Sequence, residues 1–161
     1  MAAKWFTFIS DLEARGAKYE LAMGDARLSL EHEKPQHFDA LLLDAFSGDS
    51  VPVHLLTREA FEIYQRHLNH SGIIAVHITN KYLNLAPVVE RLAKEFGYLT
   101  TRQCIDPHGL PGHYQPDYLL LTKNVDFIKA HPPVPPSYAR NLMVPLWTDH
   151  AHNLFQILDR R

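Results

Sequence analysis

The run Ala40-Leu41-Leu42-Leu43, followed at once by Asp44, constrains the fold more than any other stretch of this chain. Four apolar residues without polar alternation suit a strand buried on both faces, as in a parallel sheet covered by helices. Open α/β sheets place their ligands just beyond the carboxyl ends of such strands. Asp44 therefore stands where a functional acid belongs, and the small acidic stretch Ala45-Phe46-Ser47-Gly48-Asp49 follows it.

The surrounding pattern extends the α/β reading. Residues 5–15 carry Trp5, Phe8, Ile9 and Leu12 at helical spacing, with Gly16 as a stop. Residues 19–23 form a short strand candidate, and Asp25 is placed to cap a helix running through Glu33. Thr57 caps a further helix to about Leu68, and residues 72–78 read as a second buried strand. Asn84 is placed to cap a helix in which Leu85, Val88, Val89, Leu92 and Phe96 repeat on one face before Gly97. Two more strands are expected at 99–105 and 118–122, then a proline-rich extended segment over 131–146 and a short helix from about Ala151. Strands alternating with helices predict a parallel α/β layer structure. A chain of 161 residues makes this a single domain, 1–161.

Composition narrows the function classes. A net charge of −2 gives no support to a nucleic-acid partner. No apolar stretch approaches the roughly 20 residues that span a bilayer, and the start has no signal-peptide pattern. The single Cys104 excludes an internal disulfide framework and fits a reducing, cytoplasmic location. Eleven histidines raise the question of a metal. Asp149-His150-Ala151-His152 is the densest group, and His108 and His113 flank a glycine-containing loop. Zinc sites need four ligands, or three plus water, and a His-x-His pair shares one side only in a strand. No metal site is expected. His77 reads as a hydrogen-bonded core residue, His54 as part of a loop-to-helix transition, and Cys104 as a small buried hydrophobe. Trp5, Phe6 and Phe8 are assigned to the core or a subunit interface, and Trp147 to the far end of the fold.

Three pieces stand in order: Gly24-Asp25-Ala26-Arg27, Asp44-Ala45-Phe46 and Gly72-Ile73-Ile74-Ala75-Val76. Together with the stretch from Val76 to Leu83 and the late Trp147-Thr148-Asp149, this set resembles the spermidine synthase (polyamine aminopropyltransferase) family. That family has the fold of S-adenosylmethionine-dependent methyltransferases. The resemblance implies an incomplete Rossmann-like, mostly parallel sheet flanked by helices. It also implies kinship with enzymes that transfer an aminopropyl group from decarboxylated S-adenosylmethionine to a diamine. By position, Asp25 would recognise the adenine amino group of that nucleoside, or of the methylthioadenosine product, with Ala26 alongside. An acceptor carboxylate suits a donor amine. Asp44 would be the catalytic base, and Asp49 would hold the diamine. No tightly bound cofactor is implied.

The chain departs from the family in two places. Gly48-Asp49-Ser50-Val51-Pro52 stands where the family has an Asp-Pro step and Gly-Pro-Ala. The family's Gly-x-Gly loop and the acidic residue ending its second strand, which hold the nucleotide, have no counterpart, so ordinary nucleotide binding by this chain alone is not expected. Without those strands, residues 19–23 lose their neighbour and residues 40–44 present a bare apolar edge, which invites pairing between molecules. The expectation is a homodimer or swapped assembly, a second chain supplying the missing half, or residues 19–23 re-paired with 40–44. Two other functions stay open: a non-catalytic dimerisation or partner-binding module, and a methyltransferase-like binder of another nucleoside.

Overall fold

The computed structural model describes residues 7–45, 52–104, 116–132 and 143–158, the side chains of residues 8 and 9 excepted. Helix α1 covers Phe8–Ala14. Asp25 starts α2, Ala26–His32, by accepting the Leu28 N–H at 3.0 Å. Strand β1 is Phe38–Leu43. A 3-10 turn at Val53–Leu55 leads into α3, Arg58–His67, where the Thr57 hydroxyl accepts the Ala60 N–H. Strand β2, Leu68–His77, follows without a loop and begins earlier than the apolar pattern suggests. Helix α4 is Ala86–Glu95, and Gly97 ends it in the left-handed region at φ 68°. Strands β3, Leu99–Cys104, and β4, Asp117–Thr122, precede a helix absent from the sequence reading: α5, Val125–Ala130, capped by Asn124. The last turn, Leu154–Ile157, is 3-10 rather than α-helical.

Strand order is β1-β2-β4-β3. β1 pairs with β2 in parallel, and β4 pairs antiparallel with both β2 and β3. Strands β1, β2 and β3 thus share one direction, and β4 runs against them. One face, bearing Ile74, Val76, Leu119 and Leu121, is buried with α3 and α4 in a single core. The alternate positions face the other way, and over β1 and β2 that side stays open, with Leu42 58% exposed. Thr101 on this second face donates to the His131 carbonyl at 2.7 Å, which ties α5 across the β3–β4 side.

Several expectations need correction. β1 is not buried on both faces: among the described residues it is a sheet edge, paired on one side only. Residues 19–23 are not a strand and do not pair with β1; Leu21 is 70% and Met23 84% exposed. A β-type pattern with no adjacent strand has no ladder to join. Asn84 is not the α4 cap. Leu85 holds that position without a side-chain bond, and Pro87 in the first turn lacks the N–H that a cap at Asn84 would bind. Instead the Asn84 N–H donates to the Ile157 carbonyl at 2.7 Å. Cys104 is only partly buried. Trp147 is fully buried in the core, and its carbonyl accepts the Arg58 N–H at the start of α3, the end of the sheet where β1 terminates. Asp49, Trp5, Phe6, His108 and His113 lie outside the described residues, as do 133–142 of the proline-rich segment. Among the described residues no helix is long and apolar enough to cross a membrane.

Candidate active site at the strand tips

Register, rather than a loop, assembles the site. Leu43 lies opposite Val76, so the next residues, Asp44 and His77, stand side by side at the carboxyl ends of β1 and β2. His77 in turn lies opposite Tyr118 at the start of the reversed β4. All three side chains fall on the open face, because residues paired across a sheet share a side. His77 Nδ1 is 2.8 Å from Asp44 Oδ1, and the imidazole stacks on the Tyr118 ring with centroids 4.9 Å apart and planes 25° from parallel. Tyr118 donates its hydroxyl to the other oxygen, Asp44 Oδ2, at 3.4 Å. Burial first, then the Asp44 charge and hydrogen bond, raise the Tyr118 phenol above its ordinary value, so it remains a donor.

A second cluster surrounds Asp25. One carboxylate oxygen caps α2; the other is 3.1 Å from His54 Nε2, on the 3-10 turn that precedes α3. The Leu28 amide holds the Asp25 carboxyl below its usual range, with the His54 contact adding to the effect against some desolvation. Arg27, two residues on, forks onto both oxygens of Asp149 at 2.7 and 2.6 Å and also donates to the His54 carbonyl at 2.7 Å. The Thr57 hydroxyl donates to Asp149 at 2.8 Å. Asp149, the first of the sequence's candidate metal ligands, is therefore occupied by an arginine. Among the described residues no three ligand-type side chains converge on a cation position. A small apolar cavity of about 20 Å³ opens beside His77, between Leu43, Val76, Pro52 and Leu55. That is far below the roughly 300–1,000 Å³ of an ordinary ligand pocket; Asp44 is not among its lining residues and stands, 42% exposed, on a rim that is open among the described residues.

Asp44 and Asp25 thus occupy the ends of structural elements as the sequence indicated, Asp44 beyond β1 and Asp25 before α2, with Ala26 opening that helix. Three neighbours were missed. His77 is a partner of Asp44 rather than a core residue, its side chain 20% exposed. Its signal was the matching end of the run Ile73-Ile74-Ala75-Val76: two parallel strands that finish together bring their terminal polar residues together. His54 and Tyr118 carry no comparable signal, since their partners depend on how distant segments pack.

No protein-family model matches the chain. Over 56 residues it is 39% identical to the polyamine aminopropyltransferase of Vibrio vulnificus (strain CMCP6), a stretch covering 34% of this chain and 19% of that protein. Its fold matches spermidine synthase from Thermotoga maritima with a TM-score of 0.57 at 16% identity, over 82% of this chain and 44% of that one. A probable spermidine synthase from Corynebacterium glutamicum ATCC 13032 gives a TM-score of 0.50 at 21% identity, covering 72% and 44%. The chain resembles the spermidine synthases. It spans less than half the length of each of these relatives. The spermidine synthase-like α/β fold expected from the sequence is borne out, with three strands in one sense and β4 reversed among them.

Proposed function

We propose that the Asp44 rim is the acceptor-amine side of an aminopropyl-transfer site. The observation that carries this reading is the Asp44 carboxylate at the tip of β1, its two oxygens held by His77 and Tyr118. In the reaction, the amine nitrogen attacks the carbon next to the sulfonium of decarboxylated S-adenosylmethionine. The carbon–sulfur bond breaks, methylthioadenosine leaves, and the proton lost from nitrogen passes to Asp44. General-base assistance of this kind contributes roughly 10²–10⁴-fold. Asp25 is the acceptor for the adenine amino group, with Ala26 beside it, and Asp49 is assigned to the diamine on the sequence resemblance. Because both Asp25 oxygens already have partners, an adenine would share or displace the His54 contact.

Titration of methylthioadenosine, followed by melting temperature, tests the reading. A ligand specific to the folded state at about 100 times its dissociation constant adds about 2.7 kcal/mol of stability. Absence of any shift at millimolar nucleoside, where even the weak binding left without the family's Gly-x-Gly loop would register, overturns the proposal. Asp44→Asn keeps the side-chain shape but removes the base, so it should retain the shift and lose transfer to a diamine, measured as release of methylthioadenosine. The open edge of β1 favours a second reading, a partner-binding module, in which neither ligand acts.

A further inference from the structure

We infer that His77 is the positioning residue of Asp44, fixing which carboxylate oxygen receives the amine proton; the inference rests on the aminopropyl-transfer reading above. The imidazole is fixed by the strand that carries it, by its face-to-face stack on Tyr118 and by the hydrogen bond to Asp44 Oδ1. An ionised carboxylate is acceptor-only, so Nδ1 must carry the hydrogen of this contact. In the neutral imidazole this makes His77 the Nδ1–H tautomer, the reverse of what an unconstrained imidazole favours in water. With Oδ1 engaged at 2.8 Å, rotation of the carboxylate is restricted. Among the described residues Oδ2 has only the longer, 3.4 Å approach of the Tyr118 hydroxyl. That oxygen retains acceptor capacity and is the one the amine proton reaches. The Asp44 side chain is 42% exposed against 20% for His77, so an incoming amine meets the acid with the imidazole behind it.

The test has two arms. Long-range ¹H–¹⁵N NMR of the imidazoles should show His77 as the Nδ1–H tautomer in the full chain, and the signature should disappear in Asp44→Ala. An Nε2–H tautomer in the unaltered protein overturns the inference whether or not the protein turns over substrate. In the second arm, methylthioadenosine release is followed with decarboxylated S-adenosylmethionine and a diamine. His77→Leu should lower kcat by about 10²-fold, within the range of a misaligned base, while nucleoside binding is unchanged. His77→Asn, whose amide nitrogen falls near the Nδ1 position, should recover most of that loss. Equal kcat in His77→Leu and the parent overturns the inference. A parent without any turnover sinks the transfer reading instead, and the tautomer alone then decides the role of His77. Circular dichroism of each variant separates misfolding from loss of alignment.

Discussion

Arg27 shows how much of this molecule's order rests on single side chains. Its guanidinium joins Asp149 from the C-terminal region to the carbonyl of His54, and Thr57 completes the clasp. Lysine could supply the charge but not the planar fork. The Arg27 hydrogen bonds, above all, hold the Asp149 carboxyl down at about 2. A depressed folded-state value means the contribution is fully present above the ordinary carboxylate range near pH 4 and is lost as pH falls through 2. Asp149 remains partly exposed, so solvent screening keeps the effect small. Arg27→Ala should cost about 1 kcal/mol in urea unfolding at pH 7, and near pH 2 the difference from the parent should shrink to what the His54 carbonyl contact contributes. An equal gap at both pH values would contradict the clasp. Asp25 is the companion case: it caps α2 as its sequence position indicates, yet its second partner, His54, is set by tertiary packing.

At the scale of elements, the pairing of β1 with β2 carries the site. Phe38 pairs with Leu68 but Ala40 with Ile73, so β2 bulges across residues 69–72 before the strands fall into step. Gly72 closes that bulge; a Cβ there would lie 2.9 Å from the Phe38 carbonyl oxygen and from the Leu68 side chain. Gly72→Ala should therefore cost about 1–3 kcal/mol through overpacking, read as a lower urea midpoint, and should loosen the Asp44–His77 contact in the same NMR signature. The helices α3 and α4 and the strand β4 were readable because residue period is a local property, and Thr57 caps α3 as its position indicates. β1 was misjudged for a physical reason. An unbroken apolar run reports affinity for a sheet, not the presence of neighbours, and Leu42 ended on an open face. The row Asp44–His77–Tyr118 was half readable, since two strand ends are visible in sequence but the insertion of β4 beside β2 is not.

For the molecule as a whole, the asymmetry of the sheet matters most. One face is sealed by α3 and α4; the other leaves Leu42 exposed beside the edge of β1 that is unpaired among the described residues, with Leu21 and Met23 also in solvent. Unpaired backbone along an apolar edge favours pairing with a second copy. Sedimentation velocity should show an average mass that rises with concentration, and Leu42→Lys should suppress that rise without lowering the melting temperature. A parent that stays monomeric at high concentration would contradict self-pairing. The reversed course of β4 has a consequence in time. Tyr118 follows His77 in the chain by a span that takes about 2–8 s to synthesise at ordinary rates. The acid and its imidazole are made first, and the phenol reaches them only when β4 folds back alongside β2. A nascent chain halted before residue 118 would carry the base with its ring still unstacked.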